Sequence, residues 1–377
     1  MIKLAIVRQK YRPDGGAERF VASALSALSQ QKAEQQQLDI TVLTRQWNGI
    51  KNPSVHIEVC NPFKWGRVSR ERGFARAAQK HFSSFDIVQS HERIPGCTIY
   101  RAGDGVHKCW LEHRSRIIPE AQAKRMKNDR FHRYVMDAEK QMFEHPKLKA
   151  VICISEMVKR EIIREFDIDE SKLHVIYNSV DSNRFTPTLR DQFRASIRSS
   201  LGITDSATCL IFVGSGFERK GLAEAIKAVA KAGAELIVVG KDKSESMYRK
   251  LAEAEGVPDR VHFVGVQERP ESYYAAADGF ILPTIYEPFG NVVLEAMASG
   301  LGVITTPTCG GSDIIQSGKN GYICDALDSN SLAEAVSHFC STEKALMLGK
   351  EARKTAEQHS PQRLGHELLK LYGNVLR

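Results

Sequence analysis

"GFILPTIYEPFGNVVLEAMASG", Gly279 to Gly300, joins an apolar run to a helical pattern through a loop that holds a glutamate, a proline and a glycine. A short apolar run ended by turn residues reads as a strand buried on both faces, and "NVVLEAMA" has the spacing of a helix. Glu287 therefore stands in a loop at the carboxyl end of a parallel strand, where doubly wound sheets bind ligands. Pro288 fixes the backbone beside it. Gly290 allows a tight entry into the helix, whose first amides carry the positive end of the dipole and attract phosphate. Glu295 follows Asn291 by four residues, so it lies on the same helix face one turn further in. Two carboxylates bracketing a phosphate-sized site fit a nucleotide sugar, because carboxylates accept paired hydrogen bonds from sugar hydroxyls. Ribose belongs at Glu295, hexose at Glu287 and diphosphate between them. A glycosidase also pairs carboxylates but keeps one protonated across a gap, and nothing in this stretch supplies that asymmetry.

The same rhythm runs along the chain. In the first half 3–7, 39–44, 86–90, 150–155 and 174–178 read as strands. In the second half 209–215, 235–240, 261–265, 279–284 and 302–306 alternate with helices at about 221–231, 244–255, 270–276 and 291–298. Each half makes an α/β, doubly wound, Rossmann-like domain, with a ligand cleft expected between the two. The expected division is an N-terminal acceptor-binding domain over 1–180, a C-terminal donor domain over 181–358, and a C-terminal helix over 359–377 that packs back on the first. The charged stretch 101–149 reads as helical without finer placement.

Composition excludes several classes. A chain of 377 residues, 42% hydrophobic, buries a large core. No apolar segment reaches the roughly 18 residues of a membrane span, and the N-terminal apolar run meets charge at Arg8, which reads against a signal peptide and for the cytoplasm. The eight cysteines form no C-x-x-C pair, so they read as thiols in a reducing compartment with no zinc site. Charge is uneven: residues 1–180 hold 31 Lys and Arg against 21 acids, a net +10, while 181–377 hold 22 against 24. Dense basic residues with apolar neighbours in 64–82 and 113–133 suit peripheral docking on an anionic membrane surface.

Two further segments point at the same phosphates. "FVGSGFERKGL", Phe212 to Leu222, leaves a strand through glycines and sets Arg219 and Lys220 before a helix, where two cations would stabilise a leaving diphosphate. No Asp-x-Asp follows a strand, so catalysis is expected without a metal or other cofactor. "RPDGGAERF", Arg12 to Phe20, offers a glycine pair for close backbone approach. A nucleic-acid binder remains the non-enzyme alternative because the first half is so basic, although its basic stretches lack regularly spaced aromatics and no nucleic-acid partner is expected. A nucleotide-sugar epimerase or a soluble glycan synthase of the same fold also stays open.

Together "EPFGNVVLE", the "ERKG" turn, the "GG" loop and "VIYNSVD" resemble the retaining glycosyltransferases of family 4, with the GT-B fold. In "GSGFERKG", "VVGKDK" and "RIPGCTIYRAGD" the likeness is strongest to lipopolysaccharide core glucosyltransferases. The resemblance implies a UDP-sugar donor and a glycolipid acceptor on the inner face of the cytoplasmic membrane. It implies that Glu295 holds the donor ribose, Glu287 the transferred hexose, Arg219 and Lys220 the diphosphate, and Phe289, Gly290, Asn291 and Val292 the sugar and phosphate through their amides. It further implies that Gly16 contacts the diphosphate, and that Asp104 and His107, in "AGDGVH", face the sugar from the first domain.

Overall fold

The structure is a computed structural model that describes residues 2–11, 38–48 and 55–377. The chain divides into two compact units, one of Met1–Asn178 with Pro361–Arg377, the other of Ser179–Ser360. Both are α/β with parallel sheets.

In the first unit the described strands are β1 (Ile2–Val7), β2 (Lys10–Tyr11), β3 (Leu38–Thr44), β4 (Gln46–Trp47), β5 (Val55–Val59), β6 (Ile87–Ser90), β7 (Ile99–Ala102), β8 (Ala150–Cys153) and β9 (Leu173–Val175). Seven form one sheet in the order β5-β3-β1-β6-β7-β8-β9, while β2 and β4 pair separately. The chain reverses direction across the sheet between β1 and β6, where Leu4 pairs with Ile87. Leu4, Ile6, Ile40, Val42, Ile87, Ile99 and Ile152 make the sheet's side of the core. The helix Pro361–Leu376 covers them with Leu364, Leu368, Leu371, Tyr372 and Val375, the stripe that a 3.6-residue period lays along one face. The buried Tyr372 hydroxyl is satisfied by Gln89 Oε1 at 2.8 Å, and Lys149 Nζ donates to the Val375 carbonyl at 2.8 Å.

In the second unit β10 (Cys209–Val213), β11 (Glu235–Val239), β12 (Val261–Gly265), β13 (Gly279–Ile281), β14 (Gly302–Thr305) and β15 (Gly321–Ile323) take the order β12-β11-β10-β13-β14-β15. Here the reversal lies between β10 and β13, with Ile211 beside Phe280. The loops after those two strands, carrying Arg219 with Lys220 and Glu287, thereby flank one crevice. At the opposite end of β13, Asp278 is gripped by three arginines spaced four apart on the helix Leu189–Ser200: Arg190 at 3.4 Å, Arg194 at 2.8 Å and Arg198 at 2.6 Å. Asp278 also accepts from the Cys209 amide at 2.9 Å, so the start of β10 is tied to the same carboxylate.

The charged stretch 101–149 resolves into helices His107–Ser115, Glu120–Lys127 and Arg130–Phe143. Strands β2, β4, β5, β7 and β15 are not among the sequence expectations: β2 and β4 are two residues each, β15 is three, β5 is half exposed and β7 is interrupted by the buried Arg101, so the continuous apolar run that marks a two-sided strand is missing. Among the described residues, no helix is long and apolar enough to cross a membrane.

Candidate active site

In the second unit Arg219, Lys220 and Glu287 meet on one oxygen. Arg219 lies 2.7 Å and Lys220 Nζ 2.9 Å from Glu287 Oε2, and Arg219 also donates to the Tyr286 carbonyl at 2.9 Å. Glycines make this approach possible. Gly221 has φ +77°, and a Cβ there would overlap the Pro283 carbonyl; a Cβ on Gly214 would lie 2.6 Å from Lys220 Cε. Burial alone would raise the Glu287 pKa, but Arg219 and Lys220 overcome it and hold the carboxyl at about 2. Glu287 is thus an ionised acceptor and no proton donor.

Gly290, at φ +83°, turns the chain into the helix Asn291–Ala298. Glu295 is buried on that helix and accepts from the Tyr274 hydroxyl at 3.2 Å. It is therefore an oriented carboxylate, where a helical glutamate is ordinarily a solvated charge. The loop is strapped from behind by residues that the sequence did not point to. The Glu287 amide donates to Thr308 O at 2.9 Å, while Gly310 and Gly311 amides donate to the Glu287 and Phe289 carbonyls at 2.8 Å each. Thr306 and Thr308 hydroxyls both reach the Thr284 carbonyl, and Cys309, whose thiol burial pushes up to about 11, donates to Phe289 O at 3.3 Å. The signal that marks this strap is "TTPTCGG", Thr305 to Gly311, small and hydroxylated residues at another strand's carboxyl end.

Asp104 and His107 belong to the first unit, where they line a cavity of about 400 Å³ beside the reversal between β1 and β6. Arg93 organises it. Its Nε meets the buried Glu139 at 2.8 Å, its guanidinium donates to Gly105 O at 3.0 Å, and Asp104 lies 3.7 Å away. Glu139 in turn accepts the His107 amide at 3.1 Å, which fixes the start of the helix His107–Ser115. The His107 ring stacks on Trp110 and approaches His132 Nδ1 to 3.0 Å through Nε2. Burial, then the charges of Arg93 and His132, push His107 down to about 3, so the imidazole is neutral at ordinary pH. Gly16 lies outside the described residues. Among those described, one group of potential metal ligands gathers, Cys109, Glu112 and Glu165, and Lys108 and Arg164 already neutralise it.

The chain matches the family described as Glycosyl transferases group 1 over residues 193–355 and that described as Glycosyltransferase Family 4 over residues 14–184. It belongs to these glycosyltransferases. Among curated relatives, the lipopolysaccharide glucosyltransferase WaaG of Escherichia coli (strain K12) is 26% identical over 332 residues, 85% of this chain and 84% of that one. Matches to several other curated relatives span about half of those proteins' length. The crystal structure of WaaG superposes with a TM-score of 0.81 at 22% identity, covering 98% of this chain and 99% of that one. That of Anabaena HepE, in complex with UDP and glucose, gives 0.73 at 18% identity over 99% and 100%. The fold of this glycosyltransferase is therefore GT-B.

Proposed function

We propose that this glycosyltransferase moves a hexose, with retention, from UDP-glucose or a UDP-N-acetylhexosamine to a lipopolysaccharide core or related glycolipid. The observation that carries the proposal is the joining of Arg219, Lys220 and Glu287 at the strand reversal of the second sheet, with Glu295 buried one helix turn behind. The names of WaaG, a lipopolysaccharide glucosyltransferase, and of HepE, bound to UDP and glucose, support the choice of donor and acceptor class.

In this reading Glu295 accepts from the ribose hydroxyls and Glu287 from the hexose. Arg219 and Lys220 neutralise the diphosphate as it leaves, in place of a divalent metal. The loop and helix start from Phe289 through Gly290 and Asn291 to Val292 receive the sugar and phosphate at the positive end of the dipole. Asp104 and the neutral His107 accept from or donate to sugar hydroxyls on the acceptor side. The basic first domain, 1–180, docks peripherally on the cytoplasmic face of an anionic membrane, and the nucleic-acid reading falls away with the donor site.

Two substitutions separate the donor roles. Glu295→Ala weakens UDP binding, whereas Glu287→Ala lowers turnover and leaves UDP affinity intact, as read by calorimetry and initial rates with each UDP-sugar. Equal UDP affinity in both variants and wild type removes the assignment. Activity persists in EDTA; loss restored by manganese overturns the metal-free step. Co-sedimentation with vesicles rises with anionic lipid and falls with salt, and equal binding to neutral vesicles refutes the docking.

A further inference from the structure

The helix Gly66–Gln79 separates two concave surfaces of different electrostatic character. At 100° per residue, Arg70, Glu71, Phe74 and Ala75 lie on one side and Ser69, Arg72, Gly73 and Arg76 on the other. The first set lines the cavity that holds Asp104 and His107. The second lines a groove of about 580 Å³ that also takes in Arg67, Arg130 and the highly exposed Trp65. Phe131 borders both.

Charge distinguishes the two sides. In the cavity every guanidinium is matched: Arg70 with Glu71 at 2.9 Å, Arg8 with Glu92 at 3.4 Å, Arg93 with Glu139 and Asp104. Neutralised carboxylates beside the rings of Phe74, Phe131 and Tyr134 suit a neutral sugar ring, whose hydroxyls find acceptors and whose C–H face finds an aromatic. In the groove the one carboxylate, Asp129, is already engaged. It caps its helix through the Phe131 and His132 amides and pairs with Arg67 at 3.0 Å. Arg72, Arg76 and Arg130 have no carboxylate partner among the described residues. Arg67 lies over the Phe131 ring at 4.6 Å and Arg72 over Tyr134 at 5.4 Å, so aromatic faces hold two of the guanidinium groups at the border shared with the cavity.

We propose that this arginine groove is the subsite for an anionic substituent, a phosphate monoester or a carboxylate, on an acceptor whose neutral ring occupies the neighbouring cavity. The acceptor is thus an acidic glycan, recognised on both sides of one helix with Phe131 as the shared border. Planar guanidinium groups match the oxygens of such anions in pairs. The assignment rests on the glycosyltransferase reading for its sugar but on the groove alone for its charge.

The test titrates the full chain, without vesicles and at about 0.15 M salt, with D-mannose, D-mannose 6-phosphate and inorganic phosphate, followed by saturation-transfer NMR. Mannose 6-phosphate binds about tenfold or more tighter than mannose, the scale of one charge-assisted contact. It also binds tighter than inorganic phosphate, and the paired substitution Arg72→Gln with Arg76→Gln removes the preference. Both arginines are exposed, and an unchanged melting temperature verifies that the variant folds. A preference for the phosphate that survives the substitution, or no preference in the wild-type chain, overturns the proposal. So does a variant that keeps the preference but no longer sediments with anionic vesicles, which assigns the groove to the membrane. A UDP-induced thermal shift of the wild-type chain, measured alongside, tests the transferase reading separately.

Discussion

Two carboxylates flank strand β13, Asp278 before it and Glu287 after it, and both are bound by cations, to different ends. Asp278 and its three arginines form a sealed lock. Beyond the ion pairs, those arginines donate to the carbonyls of Ala276, Ala277, Thr204 and Ala207, and Arg198 is fully buried. The lock fastens the helix Leu189–Ser200 to the amino ends of β10 and β13. Glu287 shares its oxygen with Arg219 and Lys220 at the carboxyl ends of the same two strands, in loops shaped by left-handed glycines. Similar charge chemistry stabilises the fold at one edge of the sheet and stands at the proposed donor site at the other. The difference lies in whether backbone carbonyls or loops surround it.

The largest effect expected is at the lock. Asp278→Asn strands three cations and costs about 3–5 kcal/mol, the scale of a broken buried ion pair. It is read as lost hydrogen-exchange protection over Cys209–Val213 that UDP does not specifically restore, and a loss under about 1 kcal/mol breaks the comparison. Glu287→Gln comes next, at roughly 2–3 kcal/mol. Its penalty depends on pH. The folded pKa is depressed from 4.5 to about 2, so the contribution is fully present above about pH 4.5 and fades as pH falls toward 2. Saturating UDP leaves the penalty unchanged, because UDP binds the variant and the wild-type chain with equal affinity. Denaturant melts across that range, with and without UDP, decide it, and a pH-independent penalty refutes the ion-pair account.

Gly221→Ala follows at about 1–2 kcal/mol for the left-handed backbone, increased by the overlap with Pro283, and it weakens UDP binding by shifting Lys220. Retained affinity would show that the loop yields without cost. The smallest effect is His107→Gln, under about 1 kcal/mol at neutral pH, where the ring is uncharged. Below pH 6.5 the unfolded chain binds a proton that the folded His107 refuses down to about pH 3, so wild-type stability falls on acidification. The variant flattens part of that slope, and His91 and His132, depressed in the same direction, leave the remainder.

The α/β class and the sheet-edge position of Glu287 were legible because two-sided burial writes a continuous apolar run and the loop that follows carries proline and glycine. Glu295 was found by spacing from Asn291. What spacing could not reveal was that Arg219 and Lys220 converge on Glu287, since residues 68 and 67 positions apart in sequence meet only through the strand order of the sheet. Tyr274 and the Thr306–Gly311 strap stayed hidden for the same reason, as did Arg93 and Glu139, which shape the loop of Asp104 and His107 from distant elements. The Asp278 lock was hidden in a different way: the arginines at 190, 194 and 198 fall in a stretch with no helix expectation, and only the acid placed opposite them in the fold shows what they hold.

The helix Pro361–Leu376 completes the core of the first unit although the whole of the second unit precedes it in the chain. During synthesis, then, the apolar face of the first sheet waits for Leu364, Leu368 and Tyr372 until the helix Pro361–Leu376 emerges, while the second unit has every one of its described strands in hand earlier. The unit that begins the chain is the one that finishes folding, and its uncovered sheet is the surface that needs protection on a translating ribosome.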